Sequence, residues 1–143
     1  MAHAYATIGL AKTFLGRGEE TEAHIREAFR LSPRDTYAYI WSMIAGSAKV
    51  HLGDDETGVS WLRQSVEANR NLAIAHFLLA AALAYLGRQG EARAAVQSGL
   101  AVDPTSSVRR YGRALDDPDI NPTFRTQRER FIDGMRKAGM PEG

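Results

Sequence analysis

Apolar residues recur every three or four positions along most of this chain, and short polar or glycine-containing stretches interrupt them. This period is typical of amphipathic α-helices, whereas strand signals such as Asn-Gly hairpin turns are absent. The pattern therefore predicts an all-α fold with six helices and a separate amphipathic helix near the C-terminus. The six predicted helices span about residues 3–15, 19–31, 36–52, 55–68, 72–86 and 89–102.

A Leu-Gly pair recurs at the junction between the two helices of each predicted pair, at residues 15–16, 52–53 and 86–87. The glycines are 37 (53 − 16) and then 34 (87 − 53) residues apart. A self-match near 34 residues is typical of helix-turn-helix arrays, and glycine in this place caps a helix in a left-handed conformation. We expect three stacked helical hairpins, with three extra residues lengthening the first helix of the second hairpin.

The ends of the hairpins carry weaker signals. Pro33 lies 17 residues after Gly16, and Pro104 lies 17 residues after Gly87. Proline cannot continue a helix, so it ends the first and third hairpins. Arg70 occupies this place in the second hairpin, which makes that unit the least regular.

The C-terminal helix has clear boundaries, with Asn121 as N-cap, Pro122 at the first helical position and Gly139 just past the end. Its apolar stripe includes Phe124 and Phe131. Because stacked hairpins need a covered end, we predict a capping helix over 121–139. A polar connector over 105–120, with a short helix around 108–115, precedes it. A disordered tail over 140–143 follows it.

The three hairpins resemble tetratricopeptide repeats (TPRs). The third unit matches the repeat pattern of this family best. The first unit departs from that pattern at Lys12 and Thr21. The second unit departs from it at Gly58, Ser65 and Arg70. The resemblance covers about 2–104, in units of about 2–35, 36–71 and 72–104, and implies an α-solenoid. The matching residues of the third unit are Leu79, Ala80, Gly87, Ala92, Val96, Gly99, Leu100 and Pro104.

In the TPR family, one side of each unit's first helix lines a concave groove that binds a peptide or a partner helix. In this chain the resemblance implies a mainly apolar groove. The family's carboxylate-gripping Lys, Arg and Asn are missing at the matching positions, so we do not expect a carboxylate clamp. An interpretation of many of these residues as core between helices stays open. The groove residues are Leu10, Phe14, Ile40, Met43, Val50, His51, Ile74, Phe77 and Tyr85.

The resemblance implies a protein–protein interaction module, a scaffold whose partner is a protein or peptide. One alternative is a self-association domain, in which another subunit or the chain's own C-terminal helix fills the groove. A second alternative comes from the tail over 127–142, which is similar to the C-terminal ends of certain bacterial proteins. In those proteins such repeats follow a class III adenylate cyclase domain or a DNA-binding winged helix. The chain would then be a regulatory C-terminal segment.

Composition and motifs limit the kinds of catalytic and metal-binding chemistry that the chain can carry. The chain has 143 residues, a formal net charge of +1 and no cysteine, which excludes disulfides and thiolate chemistry. Its four histidines form no His-x-x-x-His pair, and the acidic turn over 116–119 lacks the spaced ligands of a calcium loop. No nucleophile or acid–base pair stands out. We therefore expect no enzymatic activity, no cofactor and no metal.

Charge and hydropathy also bear on partners and compartment. The arginines near 109–113 and 125–136 alternate with carboxylates, so we do not expect nucleic-acid binding. The N-terminus lacks the pattern of a signal peptide, and the most apolar run, over 72–86, is too short to span a bilayer. We expect a cytoplasmic protein that does not bind membranes.

Overall fold

The computed structural model describes residues 1–143 and contains no β-strand, as the periodicity predicts. Each of the first six helices begins and ends within two residues of its predicted bounds. None of the helices combines the length and the apolar character that crossing a lipid bilayer requires. The helices are α1 (Ala2–Phe14), α2 (Thr21–Leu31), α3 (Ala38–Leu52), α4 (Asp55–Ala68), α5 (Ala73–Tyr85), α6 (Gln89–Val102), α7 (Val108–Tyr111) and α8 (Pro122–Lys137).

Local sequence signals account for the helix ends. Gly16, Gly53 and Gly87 have φ angles of +74°, +83° and +75°, the left-handed conformation that glycine adopts without strain. The Asp54 side chain caps α4 by accepting a hydrogen bond from the backbone N–H of Thr57 at 3.4 Å. The first helix of the second hairpin, α3, has 15 residues, against 13 in α1 and in α5. Helix α3 is therefore longer than its counterparts, as expected, but by two residues instead of three, and the connection before it, 32–37, is also longer than 69–72.

The first six helices pack as consecutive pairs, α1 with α2, α3 with α4, and α5 with α6. Neighbouring pairs meet through α2 and α3 and through α4 and α5, and α3 also contacts both α1 and α5. Helix α5 is buried nearly all round, because every residue from Ala75 to Leu83 is buried, with Leu79 and His76 the most exposed at 5% and 7%. An apolar helix of this kind requires neighbours on all sides, and α3, α4, α6 and α8 supply them.

Glycines permit close helix contacts at two places within the hairpins. A Cβ atom at Gly46 would lie 2.5 Å from Cγ of Leu62, and one at Gly99 would lie 2.5 Å from Cε1 of Phe77. Both distances are shorter than any real Cβ contact, so a larger residue would force the helices apart. The small residues expected at these positions therefore set the spacing within the second and third hairpins.

The C-terminal region differs from the sequence-based expectation in two ways. Helix α8 does not sit as a cap beyond α6 but packs on α5 and α3, where Phe131 and Met135 of its apolar stripe are fully buried. The residues expected to form a disordered tail are held in place. Met140 is buried, and the backbone N–H groups of Val108 and Arg109 each donate to tail carbonyls, of Pro141 and Glu142, at 2.9 Å.

We expect Gly99→Ala to lower the free energy of unfolding by about 1–3 kcal/mol, because the added methyl group overlaps the buried Phe77 ring. Urea titration followed by circular dichroism measures the change. Gly90→Ala is the matched control, since a Cβ there meets no atom within 4 Å. This control should leave stability unchanged or raise it by about 0.5 kcal/mol. An equal loss in both variants would contradict the close-contact explanation.

Candidate functional site

The main candidate site is the surface on which α8 lies. This helix packs on α5 and α3, and near its start the Phe124 ring lies 5.0 Å from the Phe14 ring of α1, measured between centroids. The first helices of all three hairpins therefore contribute to one continuous surface. We refer to this surface as the α8 seat and define it by Phe14, Val50, His51, Ala81 and Tyr85.

Apolar and aromatic contacts fill the middle of the seat. The His51 ring stacks on Phe124 with 5.5 Å between centroids and lies 5.9 Å from Phe131. Phe131 and Met135 are fully buried. Burial of a side chain of this size contributes about 1.5–3 kcal/mol, so the stripe of α8 supplies most of the attraction to the seat. Tyr111 of α7 extends the cluster, because its ring lies between Phe131 and Phe77.

A glycine sets how closely α8 approaches α5. A Cβ atom at Gly134 would lie 2.7 Å from Cβ of Ala81 and 2.9 Å from Cε2 of Tyr85. Only glycine fits at this crossing without a shift of one helix. The pair Gly134 and Ala81 therefore fixes where along α5 the helix α8 can sit.

Arg130 clamps α8 to the second hairpin. Its Nη1 and Nη2 donate to Oδ1 and Oδ2 of Asp55 at 2.9 and 2.7 Å, and Nη1 also donates to the carbonyl oxygen of Val50 at 2.9 Å. The guanidinium carbon lies 3.8 Å from the centroid of the Tyr85 ring, which adds a cation–π contact. The hydrogen bonds to Asp55 raise the pKa of Arg130. This bidentate geometry is among the strongest polar contacts available to a protein.

Tyr85 and Gln89 hold the second half of α8. The Tyr85 hydroxyl lies 2.9 Å from the carbonyl oxygen of Arg130 and 3.1 Å from Oδ2 of Asp133, and it donates to these acceptors. Burial, followed by the hydrogen bond to Asp133, raises the pKa of Tyr85 to about 12. The Gln89 amide donates to the carbonyl oxygen of Lys137 at 2.7 Å. The C-terminal end of α8 is therefore tied to both helices of the third hairpin.

His51 is the buried histidine of the seat. Its Nδ1 lies 2.7 Å from the carbonyl oxygen of Ser47, so Nδ1 carries the proton of the neutral ring, while Nε2 is buried without a partner. Burial lowers the pKa of His51 to about 4, and the charges of Arg128 and Arg130 act in the same direction. The ring is therefore neutral at pH 7 and behaves as an aromatic packing residue.

The structure brings four of the predicted groove residues together under α8. Val50 and His51 are buried, Tyr85 is half-buried, and Phe14 contacts Phe124 while keeping 51% of its surface exposed. Phe77 is also buried, and its ring packs edge-on against that of Tyr111, 5.6 Å away between centroids. Its side chain is core in this arrangement.

The other predicted groove residues are not among those that define the seat. Ile40, Met43 and Ile74 are half-buried and pack against the two hydrophobic cores. Leu10 is exposed on α1.

Sequence reasoning missed the polar clamp. Asp55 stands in the first turn of α4, which its charge alone explains, and Arg130 follows it by 75 residues. Nothing in the sequence links the two. Gly134, in contrast, is visible in the sequence as a candidate for a close helix contact. Glycine inside an amphipathic helix lowers helix stability by about 1 kcal/mol relative to alanine, so its presence there indicates a packing requirement.

Comparisons with known proteins add no identification. No family model matches the chain, and no curated protein matches it significantly. No group of three or more His, Cys, Asp or Glu side chains is placed to hold a metal ion. The site is therefore characterised by its geometry, which is that of a surface covered by the chain's own amphipathic helix α8.

We expect Arg130→Ala to lower the free energy of unfolding by about 2–4 kcal/mol, because it leaves the Asp55 carboxylate, only 8% exposed, without its partner. Chemical denaturation measures the loss. Arg136→Ala is the control on the same helix, since Arg136 pairs with Glu142 at the surface and should contribute less than about 1 kcal/mol. Similar losses in both variants would contradict the clamp.

We expect His51 to make stability depend on pH in acid. Its pKa is depressed to about 4 in the folded state against 6.5 as the ordinary value. The unfolded chain therefore binds a proton first, and stability falls as pH drops from about 6.5 to about 4. Unfolding free energies of the chain and of His51→Phe, compared across this range, measure the effect. The difference between them should change by about 2–3 kcal/mol, and a constant difference would contradict the prediction.

Proposed function

We propose that this chain is a protein-interaction module of the tetratricopeptide-repeat type, whose first helices form a face that binds an amphipathic helix. The observation that carries the proposal is the position of α8, whose apolar stripe lies across α3 and α5 with Arg130 anchored to Asp55. In this proposal α8 is the resident occupant of the face, and a partner helix of similar pattern competes with it.

The hairpin geometry supports the TPR assignment. The three turns share a left-handed glycine, consecutive helices pair, and α3 contacts both α1 and α5. Gly46 and Gly99 stand at close contacts inside their hairpins, where the family places small residues. These features favour an α-solenoid of three TPR-like units over about 2–104, in which α1, α3 and α5 share one side.

Self-association is a second candidate function, favoured by the distribution of exposed apolar residues. Of nine large hydrophobic residues that are exposed, seven lie within residues 1–37. Such a concentration on the first hairpin and its flanks is typical of a contact surface, and a second copy of the chain would bury it. The seven residues are Met1, Ile8, Leu10, Phe14, Leu15, Leu31 and Tyr37.

The regulatory alternative depends on the tail over 127–142. In the structure this segment holds Arg130, Gly134 and Met135, the residues that fix α8 on its seat. As a regulatory segment of a larger protein, the chain would act by releasing or holding this helix. This alternative is compatible with the interaction module and adds a second domain to it.

The proposal is tested by supplying α8 in trans. We expect a chain ending at Asp119 to bind a synthetic peptide of residues 120–143 with 1:1 stoichiometry in isothermal titration calorimetry. The peptide carrying Phe131→Asp should bind at least about 100-fold more weakly, because it loses the largest buried side chain of the stripe. The control peptide carries Thr126→Asp at an exposed position.

Two outcomes would overturn the proposal: equal binding of the Phe131→Asp and control peptides, or no binding and no gain of helix by the shortened chain. Light scattering on the full chain runs alongside. A monomer favours the interaction module, whereas a concentration-dependent dimer that Ile8→Glu dissociates favours self-association.

A further inference from the structure

A second concave feature lies between α4 and α6, away from the α8 seat. It is an open groove of ≈ 860 Å³ with Leu79 and Leu83 of α5 at its floor, Val66 and Ala95 on its walls and Arg63 at its rim. This volume is in the range of about 300–1,000 Å³ that ligand pockets commonly have. The proposed interaction of the α1, α3 and α5 face does not involve this groove.

The corresponding gap between α2 and α4 is not open, because Trp61 fills it. The indole is 9% exposed, and its ring stacks against Phe29 with 6.1 Å between centroids. The guanidinium carbon of Arg26 lies 5.2 Å from the ring centroid, and the indole N–H donates to Oε2 of Glu22 at 2.7 Å. The first gap is therefore a built socket for an indole, occupied by the chain itself.

The repeat spacing shows why the second gap is empty. Helices α4 and α6 are offset by 34 residues at both ends (89 − 55 and 102 − 68). The residue 34 positions after Trp61 is Ala95, and the residue 34 positions after Gln64 is Ser98. Gln64 fills part of the first gap by donating to the Ser42 hydroxyl at 2.9 Å. Two large side chains are thus replaced by small ones, which leaves the groove.

One part of the socket that recognises an indole is retained, the cation, whereas Phe29 and Glu22 have Val66 and Val59 as their counterparts 37 residues later. Arg63 is 37 residues after Arg26 and lines the groove, so its cation is available to the face of an aromatic ring. Glu91 also lines the groove, and its Oε1 lies 3.0 Å from Nη2 of Arg63. A carboxylate there complements an indole N–H, but α6 supplies it, on the opposite wall to that of Glu22 in the first gap.

The floor of the second gap is more apolar than that of the first. Leu79 and Leu83 stand 34 residues after Ala45 and Lys49. The groove therefore combines an apolar floor with a cation and a carboxylate at its rim, a charge pattern that matches the face and the N–H of an indole.

We propose that the groove between α4 and α6 binds a tryptophan side chain of a partner polypeptide, with the indole over Leu79 and Leu83 and beside Arg63. The groove has room for residues that flank the tryptophan. A second copy of the chain does not supply this tryptophan, because Trp41 and Trp61 are both buried in the hydrophobic core between the first two hairpins. The partner is therefore a different polypeptide.

The test is a titration of the full ¹⁵N-labelled chain with N-acetyltryptophanamide, followed by heteronuclear NMR. We expect shift changes at Leu79, Ala95 and Ser98 with a dissociation constant on the order of 1 mM, as for a small fragment ligand. N-acetylleucinamide should bind at least about five-fold more weakly, because it lacks the ring face and the N–H. Free L-tryptophan should bind no more tightly than the amide, because the proposed ligand is a tryptophan side chain within a polypeptide.

Variants locate the interaction. Ala95→Trp fills the groove with an indole of the chain itself and should reduce binding at least about ten-fold. Ser98→Gln introduces the larger side chain that Gln64 provides in the first gap, and it should reduce binding by a smaller factor. Arg63→Ala should reduce binding about two- to five-fold by removing the cation. Arg93→Ala, at an exposed position of α6, is the matched control and should leave binding unchanged.

Three outcomes would overturn the proposal. The first is no shift change at the groove, and the second is equal binding of the leucine and tryptophan amides. The third is tighter binding of free L-tryptophan than of the amide, which would assign the groove to the amino acid instead of a polypeptide. Because none of these measurements involves α8, failure here is distinct from failure of the proposed function.

Discussion

The whole structure depends on the burial of α5, a helix that is apolar on every side. A helical hairpin cannot cover such a helix by itself, because its partner reaches only one face. Helices α4 and α6 cover two sides of α5, and α3 and α8 cover the rest. Helix α5 is therefore covered on all sides only when the second hairpin and the C-terminal helix are both in place.

Two kinds of interaction hold α8 on its seat, and each has a different effect. The apolar stripe with Phe131 and Met135 supplies most of the attraction, but hydrophobic burial has no direction and would permit several positions along the surface. The contacts of Arg130 with Asp55 and of Gly134 with Ala81 are directional or sterically narrow. They select one position. Affinity and register therefore come from different residues of the same helix.

The helices, their caps and the hairpin turns could be predicted from the sequence, because each depends on residues within a few positions of one another. Gly53 and Asn121 are examples. The place of α8 could not be predicted in this way, since periodicity indicates which face of a helix is apolar but not which neighbour covers it. For the same reason Val50 and Phe77 were expected in a groove and are buried. The clamp between Asp55 and Arg130 and the difference between Trp61 and Ala95 depend on contacts between distant segments.

The attachment of α8 to the rest of the chain has a kinetic consequence. Because the helix and its seat are parts of one molecule, its release and return are first-order events, and dilution does not empty the seat. In the function proposed above, a competing helix from another protein would bind in a second-order event and would have to reach a threshold concentration to displace α8. The stability of α8 on its seat would set this threshold. Each residue of the clamp would then change the concentration needed for displacement, without touching the competitor.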